Sequence, residues 1–178
     1  VRRVGEGAEH RAAARALERL APIADATSKR VAGQYEKSPY PRWTSLQISE
    51  SGAMKRALTR HFKPDRIAFM DGEFDVLIAG TGTGQQALQS AFAYGPKARV
   101  LGLDISAPSL GYARRMAEIY KATNVTFIVG DILDADKLDR RFDIVECLGV
   151  LHHMADPWAG GRKLIERLKP GGLLYLGL

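Results

Sequence analysis

From Phe74 onward the chain alternates short apolar runs with stretches of helical period, and it does so through five runs: DVLIAG, RVLGLD, NVTFIVGD, FDIVECLG and GLLYLGL. Runs of this length without polar alternation are the signature of strands buried on both faces. Between the first two, GQQALQSAFAY places Ala87, Leu88, Ala91 and Phe92 on one face and stops at Gly95-Pro96. Further on, SAPSLGYARRMAEIYK offers Ser106 as N-cap, Pro108 near the first turn and a stripe of Leu110, Ala113, Met116, Ala117 and Tyr120. A last helix over residues 156 to 169 starts at Asp156-Pro157. Strand and helix in strict alternation require crossover connections, so the expected fold is α/β, a doubly wound, mainly parallel sheet of Rossmann-like type covered on both faces. Such sheets bind ligands at the carboxyl ends of their strands.

Ahead of this unit the pattern is helical. Ala13, Ala16, Leu17 and Leu20 oppose Arg11, Arg15, Glu18 and Arg19, predicting a helix near 8 to 21 that stops at Pro22. Further helices are expected over 25 to 34 and 49 to 61, separated by YEKSPYPRW at 35 to 43. Its two prolines should hold that segment extended, as a spacer or a lid. The expected division is therefore an N-terminal helical segment and lid over 1 to 72 and a ligand-binding domain over 73 to 178.

Charge follows the same division. The formal net charge is +6, and residues 1 to 60 hold 12 Lys/Arg against 6 Asp/Glu. Scattered arginines on an amphipathic helix read as a solvated face before they read as a nucleic-acid contact. No run of 18 apolar residues occurs and no apolar signal segment opens the chain, so a membrane partner is not expected. The lone Cys147 fits a reducing cytoplasm.

The first apolar run enters AGTGTGQQA, with glycines at 80, 82 and 84 before a helix. Such a loop turns tightly and lets the backbone approach a ligand that a Cβ would hold off. Two cofactors remain open on pattern alone. Gly82, Gly84 and Ala87 satisfy the dinucleotide form G-x-G-x-x-A, with Asp104 placed as a ribose acid, which allows NAD.

The same glycines, with VLGLDIS, VGDILD, FDIVECLGVLHHMADP and LKPGGLLYL in order, resemble the motifs of class I S-adenosylmethionine-dependent methyltransferases over Phe74 to Leu178. The elements SPYPRW, LIAGTGTGQ and GVLHHMADP are similar to those of bacterial methyltransferase domains associated with tetratricopeptide repeats, although Thr81 stands where that group usually has cysteine. The resemblance implies a strand order 3-2-1-4-5, S-adenosyl-L-methionine as cofactor and S-adenosyl-L-homocysteine as product. It implies further strands after the fifth, so the chain is expected to be truncated there, leaving GLLYLGL as an open edge that self-associates.

Within this resemblance, Asp104 accepts from the ribose hydroxyls, Asp131 from the adenine amino group, and Ile132 lies against the ring. Gly80, Gly82, Gly84 and Gln85 form the loop, and Ile105, Glu146, Cys147 and Leu148 fall in the flanking motifs. The acid that many members carry two residues before the first glycine is here Ile78, so the ammonium is left to backbone carbonyls or to Glu146. Arg42 is expected on the cofactor's carboxylate and Trp43 beside its cationic end. His152 is the candidate base, required only if the acceptor carries a proton at neutral pH. No metal is expected.

The sequence after the fourth strand is ECLG rather than N/D-P-P-Y, which disfavours amino groups of bases, and Cys147 does not follow proline, which disfavours a cytosine nucleophile. A small-molecule or protein acceptor is therefore expected ahead of nucleic acid. The alternatives are an NAD-dependent oxidoreductase and a cofactor-binding module without transfer activity.

Overall fold

The structure, a computed structural model, describes residues 12–37 and 41–177. Its elements are β1 (Glu18–Arg19), α1 (Ala26–Lys37), α2 (Ala53–Leu58), a 3-10 segment at Pro64–Asp71, β2 (Phe74–Ala79), α3 (Gln85–Tyr94), β3 (Ala98–Asp104), α4 (Ala107–Tyr120), β4 (Val125–Val129), β5 (Phe142–Leu148), α5 (Pro157–Ile165) and β6 (Leu168–Gly177). All strand pairs are parallel and the sheet order is β1-β4-β3-β2-β5-β6. This is the Rossmann-like arrangement expected from the five apolar runs, with one strand more.

The added strand corrects the first expected helix. Among the described residues of that stretch, helical geometry ends at residue 15, after which Glu18–Arg19 pairs with Ile128–Val129 and Leu20 N–H donates to the Val129 carbonyl at 2.8 Å. Edge strand β4 offers unpaired backbone groups, and filling them outweighs the helical preference of a short arginine-rich stretch. Residues 8 to 11 of that expected helix lie outside the described residues.

Other boundaries also shift. α1 runs through Lys37, so Tyr35 to Lys37 are helical rather than extended, while α2 is shorter than the expected 49 to 61. α5 ends at Ile165 and the chain enters β6 by Leu168, with a register irregularity opposite Phe142/Ile144 that absorbs the Lys169-Pro170-Gly171 turn residues. Ser106 and Asp156 cap α4 and α5 as expected, accepting from Ser109 N–H at 3.3 Å and Ala159 N–H at 3.0 Å.

Successive strand side chains point to opposite faces, and this sheet has a core on each. Val76, Ile78, Val100 and Ile144 pack with Leu88 of α3 and Leu110 and Ala113 of α4. Leu77, Ala79, Leu103, Val145 and Cys147 pack with Leu164 of α5. Every residue of β2 is buried, which is why the sequence there is an unbroken apolar run but for Asp75.

Asp75 is the exception that has to be compensated. It accepts from Arg99 through Nε and Nη2 at 2.9 Å each and from Lys169 Nζ at 3.1 Å, while Asp143 accepts from Asp75 N–H at 2.8 Å and from Lys169 at 2.7 Å. The cluster ties the amino ends of β2, β3, β5 and β6 together, at the opposite end of the sheet from the carboxyl ends. Burial pushes the Asp75 carboxyl up, but Arg99 and Lys169 together outweigh it and hold it below its ordinary value of 3.8. Asp75→Ala should destabilise the domain by about 2 kcal/mol, less than a fully buried pair would lose because the cations keep water contact. By differential scanning calorimetry that is a Tm about 4 to 8 °C lower, and an unchanged Tm would show the cluster to be neutral. The stabilisation is complete above pH 3.8 and is lost as pH falls through the lowered folded value.

Among the described residues no helix is long and apolar enough to cross a membrane.

Candidate cofactor site

β2 delivers the chain to Gly80, whose φ of +74° is left-handed and whose missing Cβ would stand 2.2 Å from Val150 Cγ2. The turn is fixed by Gly80 and Thr81 N–H donating to the Leu103 carbonyl at 2.8 and 3.1 Å, and by Gly84 N–H donating to the Thr81 carbonyl at 2.9 Å. Asp104, at the end of β3, accepts from Gly82 N–H at 2.7 Å and from Ser106 N–H at 2.8 Å, linking the glycine loop to the start of α4. Burial pushes the Asp104 carboxyl above its ordinary 3.8, with the Ser106, Gly82 and Ile105 N–H groups opposing that shift. Asp131, just past the end of β4, is almost wholly buried and accepts from Leu133 N–H at 3.0 Å.

These residues face a cleft of about 590 Å³ at the carboxyl ends of the strands. Of the residues singled out in the sequence, Gly80, Gly82, Gln85, Asp104, Ile105, Asp131, Ile132 and Leu148 line it. Gly84 lies behind the loop against Ala113. Asp25, Thr27, Ser28, Val31 and Tyr35, in and before α1, form a further wall of the cleft; a lid was expected from YEKSPYPRW, of which Tyr35 and Pro41 line it, whereas the four positions ahead of Tyr35 were not singled out. Asp25 does carry a signal in the sequence, since it caps α1 by accepting from Ser28 N–H at 2.8 Å.

Five more expected residues lie off the cleft besides Gly84. Strand alternation turns Glu146 toward α3, where it accepts from Gln86 Nε2 at 2.8 Å, Ser90 Oγ at 3.0 Å and Tyr94 OH at 2.5 Å. Cys147 points to the opposite face and is fully buried, which pushes its thiol up to about 11. Arg42 is exposed, with its guanidinium 5.4 Å over the Tyr112 ring rather than toward the strand ends. Trp43 is buried in the core cluster. His152 is exposed beside His153, ring centroids 3.9 Å apart, and it is His153 that lines the cleft.

A parallel sheet with a glycine loop after β2 and carboxylates at the ends of β3 and β4 defines a nucleoside-binding α/β domain. The chain belongs to the methyltransferase domain family, whose pattern matches residues 71–177. It is 35% identical over 137 residues to the 27-O-demethylrifamycin SV methyltransferase of Amycolatopsis mediterranei, covering 72% of this chain and 47% of that one. It is 34% identical over 117 residues to the ubiquinone biosynthesis O-methyltransferase of Idiomarina loihiensis, covering 63% and 47%. The chain thus spans about half the length of these curated relatives. A structure solved for the conversion of a disulfide bond into a thioacetal group during echinomycin biosynthesis superimposes with a TM-score of 0.57 at 28% identity, covering 84% of this chain and 60% of that one.

Proposed function

We propose that this domain binds S-adenosyl-L-methionine in the cleft and supports methyl transfer to a neutral or cationic acceptor. The observation that carries the reading is the charge of the lining. In a chain of net charge +6, the described residues around the cleft include Asp25, Asp104, Asp131, Asp156 and His153, and no lysine or arginine. A cofactor with two phosphates would meet four carboxylates and no cationic side chain there. A cofactor bearing a sulfonium and an ammonium meets complementary charge, and its ribose hydroxyls and adenine amino group are donors that Asp104 and Asp131 can accept.

Bound S-adenosylmethionine supplies a methyl group on a sulfonium, already a good leaving group. What the residues of this chain contribute is position. The loop from Gly80 to Gly84 brings backbone close, Asp104 and Asp131 fix the nucleoside, Ile105 and Ile132 pack it, and α1 shields the outer side from water. His153, on the cleft, is a better placed base than His152 for an acceptor that must lose a proton. With Asp104 and Asp131 on the nucleoside, the carboxylates of Asp25 and Asp156, Gln86 held by Glu146, and the backbone carbonyls near Gly80 are the groups left for the cationic end. The acidic lining equally disfavours a phosphate-bearing acceptor, so a small molecule or a protein side chain is proposed ahead of nucleic acid. The bacterial subgroup associated with tetratricopeptide repeats, a cytoplasmic location and self-association through the edge of β6 remain parts of this reading.

Isothermal titration calorimetry tests it. S-adenosylhomocysteine should bind one to one and NAD should give no heat. Binding of NAD in its place would overturn the assignment and restore the nicotinamide reading.

A further inference from the structure

The segment Pro41–Ser45 does more than fill the core beside α4. Trp43 Nε1–H donates to the Thr83 carbonyl at 2.9 Å, in the middle of the glycine loop. Thr83 reciprocates, its hydroxyl donating to the Pro41 carbonyl at 3.2 Å, and Gln85 Nε2 reaches the Ser45 carbonyl at 3.5 Å. On the other side the Tyr112 hydroxyl donates to the Trp43 carbonyl, and the indole meets Tyr112 edge-to-face at 5.9 Å and Tyr120 at 5.8 Å between centroids. A ring that served only as a core anchor would need the aromatic contacts alone. Here a polar seam of three hydrogen bonds joins the segment to Thr83 in the loop and Gln85 at the helix start, both on the cleft.

The same segment follows α1 closely. α1 ends at Lys37 and carries Thr27, Ser28, Val31 and Tyr35 on the outer wall of the cleft. Trp43 thus touches, on one side, the loop that the cofactor must lie against and, on the other, Tyr112 and Tyr120 of α4, the helix on which α1 packs. We infer that Trp43 is a positioning residue that couples the glycine loop to α1, so that occupation of the loop by cofactor orders the outer wall where an acceptor would enter. The inference rests on the cofactor reading above.

Trp43→Phe keeps an aromatic ring in the core, removes the donor to Thr83 and leaves a small gap in place of the second indole ring, a packing change that Thr83→Val does not share. Titrated with S-adenosylhomocysteine, it should bind about five- to tenfold more weakly than the parent protein, the loss expected for one buried hydrogen bond. Hydrogen exchange supplies the readout that a merely structural role would not move. In the parent, the ligand should slow exchange of amides 26 to 37, and in Trp43→Phe that ligand-dependent protection should be reduced while exchange in β2 and β3 stays unchanged. Thr83→Val, which removes the hydroxyl bond to Pro41 with little change of shape, should act in the same direction and decides the matter if Trp43→Phe does not fold. A spectroscopic check uses Trp158→Phe, since Trp158 is 79% exposed and Trp43 is then the only fluorophore of its kind. Its emission should shift on adding S-adenosylhomocysteine. Unchanged affinity and unchanged protection of α1 in both seam variants would overturn the coupling and leave Trp43 a core anchor. A parent protein that binds no S-adenosylhomocysteine would overturn the cofactor reading, and the coupling with it.

Discussion

Asp104→Ala is expected to weaken S-adenosylhomocysteine binding about 10- to 150-fold while the unliganded domain stays folded. The magnitude is that of losing a charge-assisted hydrogen-bond partner, roughly 1.5 to 3 kcal/mol. Folding should survive because the carboxylate lies at a strand end on the cleft, outside both core clusters. The backbone N–H groups of Gly82 and Ser106, which it now accepts from, border the same cleft and can turn to water.

Protonation gives the same residue a second, independent test. A carboxyl whose folded value is raised stabilises the fold below its unfolded value, near 3.8, and that contribution is lost as pH rises through the folded value. At neutral pH the ionised Asp104 is therefore a cost to the empty domain, accepted at a site whose use lies in binding. Asp104→Asn should leave the Tm of the unliganded protein unchanged or higher. Binding has the opposite dependence, since the ribose is held by the ionised form. Affinity of the parent should fall on acidification at a pH above that of an ordinary carboxylate, and the Asp104→Asn profile should be flat there. A variant that binds as tightly as the parent, by calorimetry at neutral pH, would remove Asp104 from the site.

The difference between what the sequence disclosed and what it concealed has a physical basis. The strands β2 to β6 were legible because a parallel strand covered on both faces has to be apolar along its length, and Asp104 and Asp131 were legible because an acid that ends such a run sits at the ligand edge. β1 was not, since two residues pairing at an edge leave no periodic trace in a stretch as charged as Leu17-Glu18-Arg19-Leu20. Glu146 and Cys147 lay in the right motif, but strand alternation sends their side chains to the two sheet faces, away from the strand ends. Arg42 and Trp43 depended on a direction that only the packed state sets: once the indole is between Tyr112 and Tyr120, its neighbour is carried over Tyr112. The outer wall from α1 concealed itself for a similar reason. Thr27 and Ser28 are ordinary polar positions on a helix until the chain folds across the cleft, whereas Tyr35 lies in the segment whose prolines and aromatics already suggested a lid.

Gly84→Ala should cost the domain about 2 to 5 kcal/mol, a large share of the roughly 5 to 15 kcal/mol that holds a domain of this size together. Two terms contribute. Gly84 has φ +84°, where a side chain costs about 1 to 2 kcal/mol. Its added Cβ would also stand 2.4 Å from Ala113 Cβ and 3.0 Å from Ala113 Cα. Ala113 has no flexible end to move aside, being a fully buried alanine in the middle of α4, so either the helix or the loop has to shift, at about 1 to 3 kcal/mol. A double-mutant cycle separates the terms. Ala113→Gly alone should destabilise by about 1 kcal/mol through helix propensity, with a further loss for the buried methyl. Combined with Gly84→Ala it should cost less than the sum of the two single changes, by the 1 to 3 kcal/mol of the clash, leaving the backbone strain behind. Strict additivity in urea denaturation would mean that α4 does not press on the loop at Gly84, and that the strained turn alone accounts for the glycine. Coupling of the expected size would establish that α4 supports the loop at Gly84, as the Trp43 segment does at Thr83, so that the backbone facing the cofactor is held before the cofactor arrives.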